Sequence, residues 1–333
     1  MVGEKKTYTL SDIARELGVN KATVSKAISG KGNLSAETRA RILEFTEKCG
    51  YKPNAVAQSL ARSRSFNIGL MMPSPADRGN GAFFHDCLGG VCRIASENGY
   101  DVLLILGEES GTQGLARLID NRKVDGVIAM RSLVKSPIVG FLKEKQLPFV
   151  LIGPTSDRSV TSVDNDNQSA SRALTARLIA GGARKLLLLG GDENHCVTHS
   201  RLRGFREACR AAGLPEQPVL LNLGGREELP GALPWDTLNQ VDGVVCMDEY
   251  ICNLLMVQLR VRGIRVPEQL QVVSLYDSPL LENNVPPVTS IRFDAWELGA
   301  LAAEKLVAAL DSRPPRPLPP PSFQILPRAS TKP

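Results

Sequence analysis

The chain has 333 residues, 43% hydrophobic and 23% charged, with 40 Lys and Arg against 35 Asp and Glu. That length allows a small head and a large domain of two lobes, while no apolar run reaches the ~18 residues of a membrane span and the charged start is unlike a signal peptide. Seven cysteines without a Cys-x-x-Cys pair exclude an evident disulfide framework or zinc motif, so reduced thiols in a cytoplasmic protein are expected.

Residues Thr9–Ser29, TLSDIARELGVNKATVSKAIS, carry the densest local signal. Ile13, Ala14, Leu17, Val24 and Ile28 recur at helical spacing, which predicts two short amphipathic helices. Gly18 falls where the chain must turn between them, and Ala14 is small enough for close helix–helix approach. Thr9 followed by Asp12 predicts a capping box, and Asn20 can cap the second helix. That second helix carries Lys21, Thr23, Ser25 and Lys26 away from the core. The pattern is a helix-turn-helix with a recognition helix suited to a major groove, against the plainer reading of a surface helical hairpin.

Ser35 opens a third helix, with Ile42, Leu43 and Phe45 available to close a small core. Gly50 ends it, and Pro53 prevents its resumption. Residues 54–61, NAVAQSLA, form a helix-prone linker with no core of its own, which orders only when something supports it. Residues 1–65 hold 12 Lys and Arg against 6 Asp and Glu, so the positive charge sits in the head, where phosphate neutralisation needs it.

From Phe66 onward, apolar strand-like runs alternate with helical stretches: NIGLMM, YDVLLIL, VDGVIAM, PFVLIG, KLLLLGG, VDGVVCM and LQVVSLY. Such alternation predicts parallel sheets covered by helices on both faces. The expected fold is a small all-α helix-turn-helix head followed by an α/β domain of two lobes with an interlobe cleft. The expected divisions are a head at 1–53, a hinge at 54–65 and a body at 66–333. In the body, the first lobe takes about 66–163 and 293–322, and the second about 164–290 and 323–330. The Pro-rich run 314–321 reads as a stiff extended connection.

TLSDIARELGVNKATVSKAISGKG, SAETRARI, GYKPNAVAQSLA and SFNIGL together resemble the amino-terminal part of the lactose-repressor/galactose-repressor (LacI/GalR) family of bacterial transcription regulators. VDGVIA, SVDNDNQSASRALTARLIAGGARKLLLLGG, RLRGFREACRAAGL, PPVTSI and the terminal PRAST extend the resemblance over nearly the whole chain. It implies a homodimer on a pseudo-palindromic double-stranded operator, a hinge helix folded on the DNA, and a periplasmic-binding-protein-like body. The cleft of that body would bind a small effector, most often a sugar or sugar derivative. By position, the DNA-contacting residues would be Thr9, Lys21, Ala22, Thr23, Ser25, Lys26, Asn33, Asn54 and Leu60. Lys21, Ala22 and Lys26 would be the main base readers, although Lys26 could equally bind phosphate, because lysine lacks the arginine fork. Leu60 matches the leucine that wedges into the minor groove.

The matching effector positions are Phe83 or Phe84, His195, Arg201, Tyr276 and Asp277, with His199 close by. The family's Gly-aromatic-Asp-Asp reads Ser-Leu-Tyr-Asp here, which puts Tyr276 where an aspartate binds ligand. Met247 stands in an asparagine position, and Trp235 has no clear counterpart. A pocket with Arg201 but short of those polar groups suggests a phosphorylated or acidic effector, or loss of sensing. The sequence HCVTH at 195–199 lacks the glutamate and helical setting of a zinc site, so no metal and no cofactor are expected. No catalytic motif appears. The alternatives are a DNA-binding regulator whose body only dimerises, and a sugar-processing enzyme.

Overall fold

The computed structural model describes residues 8–29, 33–51, 64–73, 81–107, 112–223, 231 and 233–333. Asn54, Leu60 and nearly all of the expected hinge lie outside those residues. The chain divides after Arg64 into two compact units.

In the first unit, α1 (Leu10–Glu16), α2 (Lys21–Ser29) and α3 (Ala36–Lys48) close on Ile13, Ala14, Val24, Ala27 and Ile42. Thr9 and Asp12 form the capping box in full: the Asp12 N–H donates to Thr9 Oγ1, and the Thr9 N–H to Asp12 Oδ2. Asn20 Oδ1 accepts the Thr23 N–H at 2.6 Å, which caps α2. Gly18 turns between the helices at φ +63°, a backbone conformation that costs a side chain with Cβ. Leu43 does not join the core and is 44% exposed. The inward stripe of α3 runs Ile42, Phe45, Thr46 and Cys49, and Leu43 sits one step round from it.

The second unit holds two sheets among the described residues. The first comprises β1 (Asn67–Pro73), β2 (Asp101–Gly107), β3 (Gly126–Ala129), β4 (Phe149–Ile152) and β5 (Ser162–Val163). Its order is β2-β1-β3-β4-β5, parallel throughout. The connecting helices are α4 (Gly81–Glu97), α5 (Gln113–Asp120) and α6 (Pro137–Glu144).

The chain then crosses through α7 (Asn167–Ala180) into the second sheet. Its strands are β6 (Leu186–Leu189), β7 (Val219–Leu220), β8 (Gly243–Cys246), β9 (Gln271–Ser274), β10 (Thr289–Phe293) and β11 (Phe323–Leu326). Their order is β11-β10-β9-β8-β6-β7, with only β11 antiparallel. The helices of this lobe are α7, α8 (Cys196–Ala211), α9 (Trp235–Leu238), α10 (Glu249–Val261) and α11 (Pro279–Glu282). The central strands β6, β8 and β9 are buried at every residue, as strands covered on both faces must be.

Helix α12 (Ala295–Leu310) returns to the first lobe and packs on α4 in the same core. The two backbones cross closely: a Cβ on Gly299 would lie 2.1 Å from the Cys87 carbonyl oxygen, and one on Gly90 would lie 2.0 Å from that of Trp296. Glu304, fully buried on α12, accepts hydrogen bonds from Arg313 and Arg316 and so ties down the start of the Pro-rich segment that leads to β11. The lobes also meet through main-chain atoms. Leu133 pairs with His195 as an isolated antiparallel bridge. Beside it, the Val134 N–H donates to Asn194 O at 2.8 Å and the Cys196 N–H to Ser132 O at 3.0 Å.

Candidate DNA-binding face and effector cleft

Lys21, Ala22, Ser25 and Lys26 are exposed together on one face of α2, opposite buried Val24 and Ala27. The helical spacing of these four makes a strip narrow enough to enter a major groove, with a methyl group between polar ends. Thr23 is half-buried, and its hydroxyl donates to Asn20 Oδ1 at 2.8 Å, so it completes the cap of α2. Thr9 is likewise engaged in the cap of α1. Asn33 is exposed ahead of α3.

In the body, Phe83, His195, Arg201 and Tyr276 line one cleft between the lobes, with about 570 Å³ of empty space. The first lobe contributes a largely apolar wall of Phe83, Phe84, Met130, Ile152 and Leu298. The second contributes Asn165, Asn167, His195 and Arg201, with Asp164 at the crossover. Phe83 packs edge-on to both Phe84 and Tyr276, at centroid distances of 5.3 and 5.4 Å.

Arg201 lies within the first turns of α8 and is only 5% exposed. Its Nε donates to Asn167 Oδ1 at 3.0 Å and its Nη1 to the Met247 carbonyl at 2.5 Å, while its guanidinium stands 5.5 Å from the Tyr276 ring centroid. Burial pushes the Arg201 pKa down, against attraction from Tyr276, Asp248, Asp164 and Glu249. Burial also raises the Asp164 carboxyl to about 7, although Arg201 and the Asn167 amide oppose that shift. The Tyr276 hydroxyl is buried without a hydrogen-bond partner, and burial holds its pKa well above the ordinary value.

Two expected effector contacts fall elsewhere. Asp277 lies outside this cleft, where its carboxylate accepts from Arg328 Nη1 and Ser290 Oγ at 2.6 Å each and from Arg292 Nη2 at 2.7 Å. Burial alone would raise its pKa, but those hydrogen bonds outweigh burial and lower it. It therefore holds the carboxy-terminal segment onto β10. His199 is half-buried and does not line the cleft; its Nε2 lies 2.7 Å from Glu193 O. Trp235 stacks against the Arg262 guanidinium at 3.8 Å and packs into the core beneath α10. The polar run Asp164–Asn167, part of the SVDNDN landmark, supplies cleft residues that motif matching alone does not single out. Met247 serves Arg201 through a main-chain oxygen, which no side-chain pattern can announce.

A helix-turn-helix head joined to a two-lobed body with a small-molecule cleft is the architecture of a DNA-binding regulator built on a periplasmic-binding-protein fold. The family profile of bacterial regulatory proteins of the lacI family matches residues 9–54. That of the periplasmic binding proteins and sugar binding domain of the LacI family matches 65–232, and that of the periplasmic binding protein-like domain matches 175–331. The chain belongs to the LacI family, and it is a transcription regulator rather than an enzyme.

Catabolite control protein A of Staphylococcus aureus is 26% identical over 306 residues, covering 90% of this chain and 92% of that protein. The solved complex of the transcriptional regulator CelR with cellobiose is 27% identical at a TM-score of 0.70, covering 97% and 99%. The lac repressor dimer bound to operator and an anti-inducer shares the fold at a TM-score of 0.79, with 21% identity over 98% and 100% of the two chains. Among the described residues, no helix is long and apolar enough to cross a membrane.

Proposed function

We propose that this protein is a cytoplasmic homodimeric repressor that binds a pseudo-palindromic operator and is gated by a sugar or sugar derivative in the interlobe cleft. The observation that carries this reading is the exposed strip of Lys21, Ala22, Ser25 and Lys26 on α2, in a chain whose body holds a cleft around a buried arginine. CelR bound to cellobiose and the lac repressor dimer on its operator support the two halves of the reading. Lys21, Ala22 and Lys26 read base edges; Ser25 and Asn33 add polar contacts; Thr9 and Thr23 act through the helix caps; Asn54 and Leu60 belong to the hinge.

Exposed Val257 and Val261 on α10, Leu280 on α11 and nearby Val285 support dimerisation, since apolar side chains gathered on one lobe suit a second copy of the chain. Val261→Glu is expected to leave the fold intact and convert the dimer to monomer in sedimentation. A dimer that persists would move the interface elsewhere.

The test of the whole reading is selection of bound DNA from a random pool, followed by gel shift at rising salt. Two inverted half-sites are expected, and a product without twofold symmetry would refute the dimeric mode. On the selected operator, Leu60→Ser should lose about a hundredfold in specific affinity or more, while salt-sensitive non-specific binding persists. Full operator affinity in that variant would remove Leu60 from the minor groove. In the effector response, linkage of about 1–3 kcal/mol between cleft and operator is the expected scale.

A further inference from the structure

The hydrogen-bonding character of the cleft narrows the chemistry of what it holds, given the reading above that the cleft is the effector site. Arg201 spends Nε on Asn167 and one Nη1 hydrogen on the Met247 carbonyl. Its Nη2 has no acceptor among the described residues, although the side chain is 95% buried and lines the open space. Tyr276 presents a second unanswered group: its hydroxyl is buried without a partner, on a ring that lines the same space. Arg131, a donor, and His195 and Ser132, which can donate or accept, also line the space.

Acceptors are scarce by comparison. Asn165 Oδ1 is buried without a partner, and Asp164 Oδ1 already accepts from Asn167 Nδ2 at 3.1 Å. With its carboxyl held up at about 7, Asp164 is part-protonated near neutral pH and then adds another donor. Asp248 and Glu249 attract Arg201 without a hydrogen bond to it, and Asp248 Oδ1 is taken by the Ile251 N–H.

A neutral sugar presents hydroxyls that each donate a hydrogen and need carboxylate or amide oxygens in return. A site rich in buried donors is matched instead by a ligand rich in acceptors, and charge-assisted bonds to an oxyanion are about twice as strong as neutral ones. On the opposite wall, Phe83 and Phe84 offer apolar rings to the C–H face of a sugar.

We propose that the effector is an acidic sugar derivative, with its carboxylate or phosphate oxygens on Arg201 Nη2 and Tyr276 Oη and its ring against Phe83 and Phe84. Neutral sugars of the same skeleton lack the group that answers those donors.

The test is thermal melting and calorimetric titration of the full-length chain with hexuronates, aldonates and hexose phosphates, each beside its neutral parent hexose at ~10 mM. At least one acid is expected to raise the melting temperature and to bind ten times more tightly, or better, than its parent. The carboxylate and phosphate arms decide which oxyanion is used. Arg201→Gln should abolish that binding. Tyr276→Phe, which removes only a hydroxyl without a partner and so keeps the fold, should weaken it about tenfold.

A parent hexose that binds as well as its acid would overturn the proposal and leave the cleft standing as an effector site. Acid binding that survives in both variants would also overturn it, because the anion would then be held elsewhere, as on the basic head. A panel in which nothing binds would overturn this proposal and shift weight to a body that only dimerises.

Discussion

Gly299→Val should destabilise the body by about 4 kcal/mol and lower its melting temperature by about 10 °C. The cause is the crossing of α4 and α12. At Gly299 a Cβ would lie 2.1 Å from the Cys87 carbonyl oxygen and 2.8 Å from its carbonyl carbon, and both are main-chain atoms that cannot rotate away. The helices would have to separate, and the buried contacts of Leu298, Leu306 and Val91 would open with them. Gly140→Ala is the control. That glycine lies inside α6 with nothing within 4 Å of an added Cβ, so the same kind of change there should stabilise by about 0.5–1 kcal/mol through helix propensity. Chemical denaturation of the two variants gives opposite signs if the crossing is as close as described. A Gly299→Val protein as stable as its parent would show that the helices do not pack backbone to backbone.

The second large effect is expected from Glu304→Gln. Burial by itself would raise this carboxyl, but hydrogen bonds from Arg313 and Arg316 outweigh burial and bring it down to about 2 from an ordinary 4.5. A carboxyl whose folded pKa is depressed adds stability that is fully present above its unfolded pKa. That stability is lost as pH falls through 4.5 towards 2. Both arginines are partly solvated, so the loss in Glu304→Gln at neutral pH should be about 2–3 kcal/mol, below that of a fully enclosed pair. Denaturation as a function of pH tests the sign. The gap between parent and variant should be constant from neutral pH down to about 5 and close below about 4. A gap that widens in acid would mean that the carboxylate is not the stabilising form.

Much of the fold is written in short-range pattern. The recurrence of Ile13, Ala14, Val24 and Ile28 at helical spacing suffices for the head, and unbroken apolar runs such as LLLL and GVVC suffice for buried parallel strands. Leu43 shows the limit of such reading, since helical periodicity gives a stripe but not its edge. Arg201 is legible because it stands in a recognisable segment, RLRGF. Its anchors are not: Asn167 is 34 residues away, and Met247 acts through its main chain. Asp277 fails to reach the cleft for a related reason. Arg328, 51 residues further on, takes up its carboxylate once β11 has paired with β10, and that pairing is invisible to local composition.

The contact between the lobes at residues 132–134 and 194–196 is made by peptide groups. Any residue other than proline can supply an N–H and a carbonyl, so this fastening between the lobes is indifferent to most substitutions in those two segments. The side chains that choose the ligand are free of that duty. His195 illustrates the split: its main chain pairs with Leu133 while its imidazole lines the cleft. A body built this way can change what its cleft accepts by replacing side chains, while the main-chain fastening between its lobes stays as it is.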